Sequence, residues 1–249
     1  MCFILSHCPK LIKTLHATSI GSSKYIKHCA QSSRLLSVMD KNGGPVQNYD
    51  FFLVLDFEAT CESSVRISPQ EVIEFPCLKV NAKTFKIESE FHHYVRPVHH
   101  PTLTSFCTEL TGIIQETVDE SEPFPAVLAR FEAWHAAELP ADSRALFLTY
   151  GDWDLKTMLP NQCRLSGVPL PPFMRSWGNV KHLCADVRGS WPRGMDRLMK
   201  ELGLPLIGRH HSGIDDCRNI ARIVELMCRR GAVVSETGSL GSESGARNH

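Results

Sequence analysis

The sequence has no apolar run long enough to cross a bilayer, which argues against a membrane-spanning helix. Its ten cysteines (Cys2, Cys8, Cys29, Cys61, Cys77, Cys107, Cys163, Cys184, Cys217, Cys228) include no CxxC pair and follow no framework spacing. That excludes a disulfide scaffold and a structural zinc site, and predicts reduced thiols, several of them small core residues, in an intracellular protein. A net charge of either sign is lacking too, because the formal total is zero. The balance is uneven: residues 1–48 hold six Lys or Arg and one acid, Asp40, so the remainder is net negative. Such a body is not a generic polyanion binder, since non-specific nucleic-acid affinity rests on basic side chains meeting phosphates. If it handles nucleic acid, metal ions must offset the charge locally.

What is present is enough for one substantial core: 249 residues with 43% hydrophobic content. Residues 1–48 are rich in Ser, Lys and His and contain one arginine, Arg34. This predicts a disordered basic leader, with a mitochondrial transit peptide as the alternative. Localisation is accordingly expected to be cytoplasmic or nuclear, or mitochondrial if the leader targets. Asn42-Gly43-Gly44-Pro45 reads as a linker, so the domain is expected over residues 49–232. The Ser- and Gly-rich end, residues 233–249, is expected to be a disordered tail.

Inside the domain, Phe51 to Leu55 is a continuous apolar run, the pattern of a strand covered on both faces. Two acids follow it. Side chains alternate with period two, so Asp56 and Glu58 emerge on one side and Phe57 on the other. Like charges at a core edge cost free energy unless a cation neutralises them or one takes up a proton. Carboxylate oxygens are hard ligands suited to magnesium or manganese.

Further strands are expected from Glu71 to Val80, Phe85 to Val95 and Ala145 to Thr149, with helices from Thr104 to Gly112, Pro123 to Leu139, Asn179 to Ala185 and Met195 to Leu202. His92, His93, His99 and His100 read as surface residues. Gly151-Asp152-Trp153-Asp154 opens a helix that Pro160 is expected to kink. The final helix starts at Ser212, where Ser212 and Asp215 have capping-box spacing, and carries an apolar stripe from Cys217 to Cys228. Asp215 is then a cap residue, while Asp216 in the first turn has no structural role. His211 stands just before the helix.

Four carboxylates, Asp56, Glu58, Asp154 and Asp216, together with His211 have the composition of a two-metal phosphodiester hydrolase, in which paired divalent ions stabilise the attacking and leaving oxygens. A neutral imidazole can accept the proton of the attacking water near physiological pH.

The motifs DFEATC, FCTELTGI, GDWDLKTMLPNQC and HSGIDDCRNIARI closely resemble the DEDDh branch of the DnaQ-like 3′-5′ exonucleases. They look most like the exoribonuclease family of the histone-mRNA 3′ exonuclease and its prion-protein-interacting relative. The resemblance covers about residues 50 to 232 and implies an α/β, RNase H-like fold, a mixed β-sheet flanked by helices. Carried over by motif, it implies two Mg2+ ions, replaceable by Mn2+, on Asp56, Glu58, Asp154 and Asp216, with Glu58 and His211 catalytic and His211 the general base. Ala59, Phe106, Trp153 and Leu155 would surround the terminal nucleotide of an RNA 3′ end beside His211. A stacked aromatic there would grip a base without reading sequence. No SAP nucleic-acid-binding domain precedes the catalytic motifs, so the prion-protein-interacting relative is the nearer comparison and any protein partner is unidentified. The expected activity is 3′-5′ hydrolysis of single-stranded RNA to nucleoside 5′-monophosphates. A DNA exonuclease of the same fold, or a non-catalytic RNA- or protein-binding platform, are the rival readings.

Overall fold

A computed structural model describes residues 45–241. The chain forms a mixed sheet with helices on both faces. Strand β1 (Phe51–Leu55) is followed by β2 (Glu58–Ala59), β3 (Val72–Asn81), β4 (Ile87–Tyr94), β5 (Ala145–Thr149), β6 (Ser176–Asn179) and β7 (Gly238–Ser239). Strand β1 lies between β3, antiparallel, and β5, parallel; β6 continues the sheet beyond β5, and β4 pairs with the far edge of β3. The helices are α1 (Ser105–Thr111), α2 (Gln115–Asp119), α3 (Phe124–Glu138), α4 (Leu159–Leu165), α5 (Val180–Arg188), α6 (Met195–Leu202) and α7 (Gly213–Arg229).

The alternation expected of β1 sorts its residues between two cores. Phe52 and Val54 join Leu78, Val80 and the buried faces of α5, α6 and α7. Leu53, Leu55 and then Phe57 turn the other way, against Phe75, α3 and α4. Asp56 and Glu58 continue the first set, so they emerge on the face that α7 covers. The register of β1 on β3, Phe51 with Asn81 through Leu55 with Cys77, resumes unshifted at Glu58 opposite Glu74. In between, Asp56 falls opposite Pro76, which has no N–H to give to a ladder. Strand pairing therefore lapses where the acids must face away from it.

Several elements differ from expectation for identifiable reasons. Phe85 has a left-handed φ of 57° and belongs to the turn that Asn81 closes by accepting from the backbone N–H of Lys83 and Thr84, so β4 starts two residues later, at Ile87. Pro160 does more than kink a helix. The stretch Asp154–Met158 is a π-helical turn that closes with the N–H of Leu159 on the carbonyl of Asp154 before α4 begins. A π-turn relieves the hydrogen-bond ladder that a proline interrupts.

The expected domain limits are too narrow at both ends. Gln47 is buried and its side chain clamps the backbone of Ala232 and Val234, so packed structure reaches back before Tyr49. Residues 233–241 are not a loose tail: Val234 is in the core and β7 pairs with β6. The leader up to residue 44 and the end from residue 242 lie outside the described residues. Among the described residues no helix is long and apolar enough to cross a membrane, and the cysteines are unbridged, all buried except the half-buried Cys61.

Candidate active site

The carboxylates of Asp56, Glu58 and Asp216 offer oxygens that all lie within 4.8 Å of one another. Two come from the interrupted strand and the third from the first turn of α7. Asp154 joins them from the π-turn after β5, and its Oδ1 accepts the N–H of Phe57 at 2.9 Å, the backbone group between the two strand acids. Glu58 (8%), Asp154 (6%) and Asp216 (2%) are nearly closed to solvent, while Asp56 is partly open to the cleft.

Among the described residues no donor reaches the carboxyls of Asp56 or Glu58, and no Lys or Arg pairs with any of the four acids. Electrostatics follows from that isolation. Burial, then the charges of Asp154, Glu58 and Asp216, holds the Asp56 carboxyl well above the usual carboxylate range. Glu58 is pushed up to about 9 by burial and by Glu74. Asp154 rises less, to about 6, because burial is opposed by the Phe57 N–H. Asp216 is also raised by burial, opposed by hydrogen bonds from the His211 backbone and from His210. Four crowded oxygen ligands that lack protein cations fit hard divalent ions.

The loop before α7 sets the imidazoles. His211 adopts a left-handed φ of 65°, which is costly for a non-glycine residue and turns its N–H onto the Asp216 carboxylate at 2.9 Å. The His210 ring meets the same carboxylate at 3.2 Å and stacks on the His211 ring with centroids 4.0 Å apart. His210 is thus part of the site, although the motif spacing selects only His211. The His211 ring has no hydrogen-bond partner among the described residues, and burial followed by the neighbouring His210 lowers its pKa, favouring the neutral, proton-accepting form.

Asp215 is not a capping residue. It accepts from the backbone of Arg209 and pairs with Arg218, bracing the histidine loop from outside. The cap of α7 is Glu74 of β3, buried at 1% and missed by the sequence reading. Its two oxygens take the N–H groups of Gly213 and Ile214, each at 3.0 Å, and Oε1 also meets His92 Nε2 at 2.8 Å. His92 is therefore not a free surface residue. Gly213 allows this approach, because a Cβ there would lie 2.7 Å from the Asp56 carbonyl. The sequence signal for Glu74 was a lone acid among the apolar residues from Val72 to Leu78.

The four residues carried over as nucleotide contacts separate. Ala59 and Phe106 are held in neighbouring elements: Cys107 Sγ reaches the Ala59 carbonyl at 3.7 Å, and Thr104 Oγ1 donates to the Cys61 carbonyl at 2.7 Å. Trp153, 40% exposed, presents surface beside Asp154. Leu155 does not: at 0% exposure it is packed with Phe57, Met158 and Leu159, which leaves a nucleotide no surface to touch.

Residues 53–224 match the model of the exonuclease family RNase_T. The chain belongs to that family. It is 50% identical over 196 residues to ERI1 exoribonuclease 3 of Homo sapiens, an alignment covering 78% of this chain and 58% of the relative. It is 35% identical over 211 residues to the 3′-5′ exonuclease Snipper of Drosophila melanogaster, covering 78% and 75%. The chain thus spans little over half the length of the ERI1 exoribonuclease 3 relatives it matches. Among solved structures, the nuclease domain of 3′hExo, a DEDDh family member bound to rAMP, superposes with a TM-score of 0.74 at 36% identity, covering 78% of this chain and all of that one. A 3′-exonuclease that recognises the histone mRNA stem-loop gives 0.74 at 34% identity, covering 80% and 73%. The RNase H-like sheet of the exonuclease family is the fold of this chain.

Proposed function

We propose that the protein is a metal-dependent 3′-5′ exoribonuclease that shortens single-stranded RNA from its 3′ end to nucleoside 5′-monophosphates. The observation that carries this reading is the convergence of Asp56, Glu58 and Asp216 within 4.8 Å, with no cation or donor on the two strand acids among the described residues. With Asp154 they would hold two divalent ions, Mg2+ with Mn2+ able to substitute, and such ions when bound polarise the phosphoryl oxygens and activate water. His211 takes the proton of the attacking water on its unengaged ring, and the left-handed turn together with the His210 stack keeps that ring in place. Ala59, Phe106 and Trp153 would seat the terminal nucleoside, the aromatic rings gripping a base of any identity.

The relatives support RNA as substrate: one is named an exoribonuclease and one solved neighbour holds rAMP. The test is digestion of a 5′-labelled single-stranded RNA in magnesium, beside an EDTA control and a DNA strand of the same sequence. A one-nucleotide ladder receding from the 3′ end, lost in EDTA and weaker on DNA, is expected. Equal ladders would make the protein a general exonuclease, and RNA retained uncut in both Mg2+ and Mn2+ would leave only a binding platform.

His211→Ala is expected to lower turnover by roughly 10²- to 10⁴-fold, the usual worth of a positioned general base. Added imidazole should restore part of the rate. A mutant with wild-type turnover would move the proton transfer elsewhere.

A further inference from the structure

Resting on that reading, we propose that Lys181 and Arg193 bind the backbone phosphate immediately 5′ of the scissile one. Both cations line the cleft that holds Asp56, His211 and Asp216. Neither forms an ion pair with a carboxylate among the described residues, although Asp56 and Asp216 line the same cleft. Lys181 is in the first turn of α5, where its charge opposes the partial positive charge of the helix N-terminus. Its Nζ is held 5.0 Å over the ring of Tyr150, on the segment that leads from β5 to Asp154. Helix stability gives no reason for a cation at that position.

A cleft in which Lys181 and Arg193 stand beside acids without pairing to them is complementary to a ligand carrying metal-held negative charge on one side and further negative charge on the other. An RNA 3′ end has that form. Its last nucleoside ends in a hydroxyl, so the only phosphate next to the scissile one lies on the 5′ side. Two cations on that phosphate add affinity and set how far the strand advances, without reading a base. They also give a net-negative domain a local means of drawing in a polyanion.

The test is equilibrium binding of a 5′-fluorescent hexaribonucleotide to the full chain in calcium, with RNA integrity checked on a gel. A second hexamer carries a neutral methylphosphonate at the linkage immediately 5′ of the last one. Lys181→Ala and Arg193→Ala are each expected to weaken binding of the all-phosphate RNA about 5- to 10-fold and to flatten the salt dependence by roughly 0.7 in slope per lost contact. The methylphosphonate removes the partner of both cations and should cost the wild type more than either single mutation does, and on that RNA each mutant should bind like the wild type. Lys181→Arg should bind like the wild type, which separates lost charge from misfolding. Unchanged affinity in both mutants, or equal losses on both RNAs, would overturn the assignment. An absent cleavage ladder with this binding pattern intact would sink the exonuclease reading alone; a normal ladder without the pattern would sink the phosphate site alone.

Discussion

Asp56→Asn should reduce RNA cleavage by at least about 10³-fold, the scale of losing metal-assisted charge stabilisation, while making the metal-free protein more stable at pH 8. The two effects have one cause. The Asp56 carboxyl has no donor among the described residues and faces three other acids, so burial and their charges hold its pKa well above the usual range. Glu58 is pushed up to about 9 for similar reasons, burial first and Glu74 second. A group whose pKa is higher folded than unfolded binds extra protons in the native state. Its favourable contribution is complete below the unfolded value near 4 and disappears as pH rises through the folded value. Metal-free protein should therefore lose stability from about pH 4 to pH 9, and a neutral amide at position 56 should return roughly 1–2 kcal/mol of it at pH 8. Saturating metal should do the same for the wild type: a free ion at 100 times its Kd stabilises by about 2.7 kcal/mol. For a domain of this size that is about 5–10 °C in Tm. Differential scanning with and without magnesium, at pH 6 and pH 8, measures all of this. A mutant that melts lower than the wild type without metal, or one that keeps cleaving, would remove Asp56 from a charge-crowded metal site.

The parts of this site that could be read from sequence were those fixed by local periodicity. Alternation along β1 placed Asp56 and Glu58 on one face, and the structure sorts Phe52 and Val54 from Leu53 and Leu55 by that rule. The first turn of α7 likewise followed from the apolar stripe behind it. What escaped depends on partners distant in the chain. The S-x-x-D spacing suggested a local cap, but the donors of α7 are taken by an acid 139 and 140 residues away, and Asp215 is drawn outward to Arg209 and Arg218. Composition made residues 233–241 look unstructured, yet β6 offers an edge on which Gly238 and Ser239 pair, and Gln47 fixes Val234 from the other end of the domain. Leu155 shows the same limit: a family motif carries a residue's identity, not its exposure.

Glu74→Ala should be the most damaging single change away from the cluster itself. Gly213 and Ile214 would lose the acceptors of their N–H groups at a buried helix start, and His92 would lose its partner. Each buried donor left unsatisfied costs about 1–3 kcal/mol, so a loss of roughly 3–5 kcal/mol is expected. Turnover should fall with it, because the helix start that shifts carries Asp216 and is entered through His211. Glu74→Gln divides the two contributions. The amide keeps one acceptor and presents an NH2 where the helix presents another N–H, so stability should fall by an intermediate amount. At the same time the charge opposite Glu58 is gone, and Glu58, raised second by Glu74, should titrate closer to an ordinary glutamate. Denaturant unfolding of both mutants, with carboxyl titration followed by NMR in Glu74→Gln, checks each part. Wild-type stability in Glu74→Ala would mean that α7 does not need this cap. A Glu58 titration unmoved in Glu74→Gln would mean that burial and the charges of Asp216 and Asp154 raise it without Glu74.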